Sequence, residues 1–386
     1  MRIPSRCIIR VGRMALSGRR LLAFLSFGFL FSVPPTWAAE PWRTEWEKTL
    51  EAAKKEGQVT IYHFAGSSGL LIEAGIFQKR FPEIRVVAVT GDPLQRIRAE
   101  RRAGKYLADV TIGGSSSTWL LSVGKALDPI RDVLILPEVV DESRWWKGKH
   151  HYTDRERRYA FTFIGNTDFG SISYNGNLVN PAEFQSLWDF LRPKWKGKIV
   201  ARDIRSPGPG TVSIRVFYYS PKLGPEFIRR LFGDMDIALT RDRRQAVDWL
   251  AAGKYAICFF CPAGDVQLAR NQGLPVAYFG PMKEGAGLTS SGGNMGLLNK
   301  APHPNAAKIF INWALAREAQ NALQTDYARV AGGFWNSLRM DIPKDVIPPE
   351  SRLKEGIDYV EVDNPDRMSL EPVLKIVNEA LARSGK

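Results

Sequence analysis

The sequence predicts an α/β protein of two lobes, each a mostly parallel sheet flanked by helices, with a ligand cleft between them. Short strands alternate with helices of about ten residues from Val59 to Ile112, the signature of βαβ units. A second such rhythm runs from Lys198 to Phe279. No low-complexity linker separates the two, so short crossing strands must join the lobes. The chain has 386 residues and is 44% hydrophobic, enough for two cores.

The elements follow in order. Thr44 to Glu56 reads as an amphipathic helix. Thr44 and Glu47 form a capping box, Trp46, Leu50 and Ala53 share a face, and Gly57 ends it. Val59–Phe64 reads as a strand, Ser68–Arg80 as a helix stopped by Pro82, and Arg85–Val89 as a strand. Pro93–Ala103 is a helix closed by Gly104, and Ala108–Ile112 is a third strand before the loop Gly113–Ser117. Between about 125 and 160 the pattern weakens into Trp-, Lys- and His-rich sequence. Phe169–Tyr174 is extended. The second rhythm comprises Lys198–Ala201, Thr211–Ser220, Asp236–Leu239, Arg241–Ala252, Tyr255–Phe260 and Pro275–Phe279. Pro304–Leu315 carries Ala306, Ile309, Phe310, Trp313 and Ala314 at the spacing of a buried helix face.

The net charge of +14 would by itself suggest nucleic acid or an anionic surface. Six of those charges are Arg2, Arg6, Arg10, Arg13, Arg19 and Arg20, in a stretch without acids, and without them the balance is +8. The apolar run Leu21–Val33 is too short to span a bilayer, which takes about 20 residues. It fits the core of an export signal, broken by Pro34 and Pro35 and followed by Thr36-Trp37-Ala38 with small residues at −3 and −1. Residues 1–38 are therefore expected to be a signal peptide cleaved after Ala38, with an uncleaved anchor as the alternative. Arg19-Arg20 matches a twin-arginine signal only in part, and no cysteine follows for lipid attachment. Cys7 departs with the signal, leaving Cys258 and Cys261.

Enzyme signatures are largely missing. The chain contains no G-x-x-x-x-G-K-[ST], H-E-x-x-H or G-x-S-x-G, and no G-x-G-x-x-G after a strand. His150 and His151 read as surface residues, and His303, between prolines, as helix-entry chemistry. What recurs is a strand running into a small polar loop that opens a helix. It occurs at Gly66-Ser67-Ser68-Gly69, at Gly114-Ser115-Ser116-Ser117 and at Ser206-Pro207-Gly208-Pro209-Gly210-Thr211. Such loops aim backbone N–H groups and hydroxyls at the carboxyl ends of parallel strands, where open α/β sheets bind ligands and helix dipoles favour anions. Each alone is equally an ordinary cap, but three across two lobes point to a shared anionic cleft. Arg202 and Arg205 flank the third loop. The basic runs Arg155-Glu-Arg-Arg158 and Arg241-Asp-Arg-Arg244 are interrupted by acids and read as solvated faces.

Val59-Thr-Ile-Tyr62, Phe81-Pro82, Ala108-Asp109-Val110 and Ser173-Tyr174-Asn175 resemble periplasmic solute-binding proteins of the ferric-iron ABC-importer type. So do Pro193-Lys-Trp-Lys-Gly197-Lys-Ile199, Gly253-Lys-Tyr-Ala-Ile257 and Ala301-Pro-His-Pro-Asn-Ala-Ala307 with Phe310 and Trp313. The match spans residues 44 to 326. It implies a hinged class II periplasmic-binding-protein fold with residues 39–165 plus 285–386 as lobe 1 and 166–284 as lobe 2. It further implies a monomer without cofactor or catalytic residues, which delivers a small-molecule ligand to an inner-membrane ABC permease in the periplasm.

Ferric-binding members carry a tyrosine pair just after the strand that here ends at Ile257. This chain has Phe259-Phe260-Cys261-Pro262 instead. Organic or phosphorus-containing anions therefore suit the site better than Fe³⁺ held by phenolates. The expected ligand contacts are Ser67, Ser68, Ser115, Ser116, Tyr174, Arg205, Ser206, Gly210, Thr211 and Cys261, with no metal ligand and no nucleic-acid surface. Ferric or ferric-chelate binding through other oxygens is the alternative. Cys258 and Cys261 leave open a structural disulfide, buried thiols, a ligand contact by Cys261, or a thiol oxidoreductase.

Overall fold

The computed structural model describes residues 40–385 apart from 65–74, 169–170, 206–209, 332–334 and 358. The signal segment, Ser67, Ser68 and Ser206 therefore lie outside the described residues. The first helix spans Pro41–Glu56, three residues earlier than the capping box suggests. Pro41 sets the helical φ at the first position and Glu40 stands as N-cap, while Gly57 closes the helix at φ 67°.

Strands are numbered in chain order. The first sheet runs β2 (Arg85–Thr90), β1 (Gln58–His63), β3 (Val110–Gly113), β14 (Asn294–Leu298), β6 (Ala160–Thr162), β5 (His151–Tyr152), with β4 (Leu127–Asp128) also on β14. β1 pairs in parallel with β2 and β3, which is the part legible as βαβ rhythm. Beyond β3 the pairing is antiparallel: β14 returns from the other lobe, and β6, which precedes the crossing, pairs antiparallel with it. The second sheet runs β10 (Ala238–Thr240), β9 (Ile199–Arg202), β11 (Ile257–Phe259), β8 (Ile172–Asn175), β12 (Val276–Tyr278), again parallel on one side and antiparallel on the other.

Each sheet has its own core. Ile61, Val110, Phe77, Phe310 and Trp313 belong to the first, and Ile199, Phe217, Phe227 and Phe259 to the second. Ala306, Ile309, Phe310, Trp313 and Ala314 of helix Pro304–Leu315 are all buried, as their spacing predicts.

The lobes are joined by β7 (Asn166–Asp168) and β13 (Gly287–Thr289), an antiparallel ribbon in which Gly287 faces Asp168. A third strand, β15 (Val360–Glu361), adds in parallel to β13. Residues 359–368 thus form a strap across the hinge. Beyond it, helix Glu371–Arg383 packs Val373, Val377 and Leu381 into the second core. The sequence reading places 285–386 with the first lobe; this final helix instead covers the second, because its apolar face completes that lobe's core.

Two of the segments that carry the resemblance are tied by one carboxylate. Asp109, wholly buried, accepts from Thr60 N at 2.7 Å, from His303 N at 2.7 Å and from His303 Nδ1 at 2.9 Å. His303 is the N-cap of helix Pro304–Leu315, so β1, β3 and that helix meet at Asp109. A buried acceptor so fully used costs much when removed. Asp109→Ala is expected to lower stability by about 3 kcal/mol, read as a drop in the urea unfolding midpoint. Asp109→Asn, which keeps one acceptor oxygen, should lose less. An unchanged midpoint in both would show that this network contributes nothing.

Candidate functional site

In the first lobe β3 ends at Gly113, and Gly114 N-caps helix Ser115–Val123. The terminal N–H groups of such a helix carry partial positive charge. Ser115 is buried there, and its Oγ donates to Asp363 Oδ1 at 2.6 Å. Ser116 beside it is exposed.

In the second lobe β9 leads to Asp203, whose carboxylate takes Arg205 in a bidentate pair at 2.8 and 3.0 Å. Burial alone would raise the Asp203 pKa, but Arg205 and Arg241 together hold it below the ordinary carboxylate range. Arg205 is thus committed to its neighbour rather than presented as a free cation. Helix Gly210–Tyr219 follows. A Cβ on Gly210 would stand 2.9 Å from Phe260 Cβ, so glycine is needed for the helix to start this close. The Thr211 carbonyl accepts from Arg215 Nε one turn later, at 3.2 Å.

Arg215 is 1% exposed. Its Nη1 donates to the strap carbonyls of Val362 at 2.9 Å and Arg367 at 3.2 Å. Burial pushes its pKa down and Asp363 opposes that. Nη2 stands 3.6 Å from Asp363 Oδ1 and has no hydrogen-bond partner. On the hinge side, Ser290 N donates to Asp363 Oδ2 at 2.6 Å. The Ser290 loop is held by Asn294, which donates to Ser290 Oγ and accepts from Thr162 Oγ1 at 2.7 Å. Helix Gly210–Tyr219 approaches the hinge so closely that a Cβ on Gly287 would stand 2.2 Å from Val216 Cγ2. Its Ser213 Oγ donates to Asp168 Oδ2 of β7 at 2.6 Å.

The first lobe, the hinge and the second lobe therefore each present a donor to one carboxylate. Of the expected contacts, the structure brings Ser115 into this cluster, with Gly210 and Thr211 opening the helix that carries Arg215. It places Tyr174 in β8, packed on Phe279 with ring centroids 4.6 Å apart at the margin of the second core.

Cys258 and Cys261 are joined by a disulfide, both buried. The turn this requires comes at Phe260, whose φ is 63°, a left-handed conformation that costs a side-chain-bearing residue about 1–3 kcal/mol. Helix Ala263–Asn271 follows with Pro262 as its N-cap. The position where the resemblance implies tyrosines is thus filled by Phe260, wholly buried, and the disulfide.

The histidine pair differs from expectation. His150 is buried, donates Nε2–H to Val139 O at 2.8 Å and packs on Trp145 and Phe161, with burial lowering its pKa. The basic runs pair with acids: Arg155 with Asp366, Arg158 with Asp132, Arg241 with Asp203 and Arg244 with Asp248. Among the described residues no group of three or more His, Cys, Asp or Glu is placed to hold a metal ion, and no helix is long and apolar enough to cross a membrane.

No protein-family model matches the chain, and no curated protein does. Solved structures do. The chain is 18% identical to FutA (IdiA) of Trichodesmium in complex with iron and citrate, covering 85% of this chain and 99% of that one, TM-score 0.60. It is 17% identical to iron-bound HitA from Pseudomonas aeruginosa, covering 84% and 99%, TM-score 0.57. It is 18% identical to the periplasmic binding protein AfuA from Actinobacillus pleuropneumoniae with fructose-6-phosphate bound, covering 85% and 99%, TM-score 0.57. The fold is that of the two-lobed periplasmic binding proteins. Nearly the whole of each such protein is spanned, so both lobes and the hinge are represented.

Sequence reasoning missed Arg215, Ser290 and Asp363. A single charge within Val212-Ser-Ile-Arg-Val-Phe217 was a legible signal, since a lone cation in an apolar helix run needs a buried partner. Asp363 carried no local signal, because its role arises only when the strap crosses the hinge.

The disulfide generates a prediction. Closing so short a loop stabilises by about 2 kcal/mol in the chain-entropy model. The double variant Cys258→Ser, Cys261→Ser should therefore show a lower thermal midpoint while keeping ligand binding. With both sulfurs buried, the native protein should also resist mild reductant. Rapid loss of the disulfide in folded protein, measured by thiol labelling, would contradict this.

Proposed function

We propose that this protein is the exported solute receptor of an ABC importer, which captures a small organic or phosphorus-containing anion between its lobes and hands it to a membrane permease. The observation that carries this reading is the convergence of Ser115 Oγ, Ser290 N and Arg215 on one carboxylate across the hinge. Hydroxyl, backbone and guanidinium donors suit oxyanions, whereas Fe³⁺ prefers phenolate and carboxylate oxygens. The buried Phe259-Phe260 and the Cys258–Cys261 disulfide, where the resemblance implies tyrosines, support the same choice. The neighbours' ligands include both iron and a sugar phosphate, so the fold alone is compatible with either.

On this reading residues 1–38 are the cleaved export signal. Lobe 1 is 39–165 with the chain from 285 into the strap, and lobe 2 is 166–284 with the final helix. The receptor works as a periplasmic monomer without catalysis or nucleic acid, and its selectivity resides in lobe closure on the solute.

Native mass spectrometry of protein purified from its source is expected to show a bound small anion. In a thermal-shift screen, carboxylates, phosphates or phosphonates should raise the melting temperature, since a ligand at 100 Kd adds about 2.7 kcal/mol. Stabilisation by neutral solutes alone would overturn the anion assignment. A coloured Fe³⁺ complex would replace it with ferric binding, and reductase turnover abolished by Cys261→Ala would replace the receptor reading altogether.

A further inference from the structure

The Asp363 carboxylate occupies the place a solute anion would take. It reaches Ser115 at the N-terminus of a nine-residue helix in the first lobe, the Ser290 N–H beside the hinge, and Arg215 from the second lobe. A residue serving only as local packing would not need donors from three separate parts of the fold. Arg215 also keeps an unpartnered Nη2 directed at this point while 99% buried, an expensive arrangement unless an acceptor is meant to come closer than the present 3.6 Å.

The strap that delivers Asp363 is anchored by Tyr359, Val362 and Met368, all buried, and is lightly fastened only between the last two. Its strand is two residues long and lies at the edge of the hinge sheet. Between Val362 and Met368 its outer attachment is the exposed pair Arg155–Asp366. Exposed pairs of this kind are worth about 0–1 kcal/mol. A cavity of about 70 Å³ lies under it, lined by Lys149, His151, Thr162 and Ser290 from the body and by Glu361 and Asn364 from the strap.

We propose that Ser115 Oγ, the Ser290 N–H and Arg215 form an oxyanion subsite, and that Asp363 is its internal occupant, which a carboxylate- or phosphate-bearing solute displaces by lifting residues 363–366. This rests on the receptor reading and adds to it a competitor within the same chain. Displacement exchanges one oxyanion for another at Ser115 and Ser290, while Val362 O and Arg367 O, which flank the lifted residues, keep accepting from Arg215 Nη1. The solute oxyanion also takes the Arg215 Nη2 hydrogen bond that Asp363 does not make.

The test uses the mature chain and inorganic phosphate as probe, followed by titration calorimetry. Asp363→Asn removes the competing charge and keeps the side chain's shape; it should bind phosphate at least tenfold more tightly than wild type. Asp248→Asn, an equal charge change on an exposed acid away from the strap, should leave the affinity unchanged. Adding Ser115→Ala to Asp363→Asn should abolish the gain. A second readout needs no variant. The Asp366 and Arg367 amides donate to Asn364 Oδ1 and Asn364 O, and in wild type their hydrogen exchange should quicken when phosphate is saturating. Unchanged or weaker affinity in a folded Asp363→Asn, or slower exchange of these amides, would show that Asp363 is a structural latch and overturn the proposal. Absence of phosphate binding in both wild type and Asp363→Asn overturns the oxyanion subsite. The receptor reading is judged separately, by whether a solute of any kind co-purifies.

Discussion

The burial of Arg215 constrains the rest of the hinge. A guanidinium removed from water must recover its hydration from protein acceptors or it will not stay buried. Its own helix supplies only the Thr211 carbonyl. The others, Val362 O, Arg367 O and the Asp363 carboxylate, come from a segment about 150 residues later in the chain. The C-terminal strap must therefore cross the hinge for the second lobe to be electrostatically complete. That crossing adds β15 to the ribbon and seats Val360 and Val362 against Val216. It also delivers the final helix to the second core, which explains why the chain visits the second lobe twice.

Much of this architecture was legible because it is local. Strand–helix alternation located both parallel half-sheets, and the face of Pro304–Leu315 was readable from spacing alone. The antiparallel halves were not, because β14 owes its direction to the crossing strands rather than to any pattern of its own. The His150-His151 pair shows a related failure. Its polar neighbours suggested surface, yet the ring of His150 is enclosed by Trp145 and Phe161, which arrive from other turns of the chain. Thr44 was read as a cap because its chemistry permits it, but Pro41 starts the helix earlier and leaves Thr44 inside.

The candidate site divides in the same way. Ser115 was found because a strand, a small polar loop and a helix adjoin in sequence. Arg205 was read as a cleft cation on proximity to the third loop. Asp203, two residues away, claims it first, since a bidentate contact at that separation needs almost no chain ordering. Cys261 was ambiguous because a disulfide at i, i+3 is impossible along a straight strand, and only the left-handed backbone at Phe260 turns the chain enough to close it. That turn points the position which would carry a metal-ligating phenol into the core. The same local geometry therefore bears on both the redox state and the ligand class.

An internal carboxylate changes what a binding cleft can discriminate. A tethered group competes at an effective concentration of about millimolar or higher, which no dilution of the surroundings lowers. A bare oxyanion that matches Asp363 and nothing more gains little from the exchange, so the apparent affinity of simple anions is reduced by the fraction of molecules already self-occupied. A solute bearing further groups, able to reach the cavity between Lys149, His151 and Thr162 once residues 363–366 have lifted, gains contacts that Asp363 cannot make. Selectivity then comes from the excess of the solute over a carboxylate, and the abundant small anions of the surroundings are rejected without any device that recognises them individually.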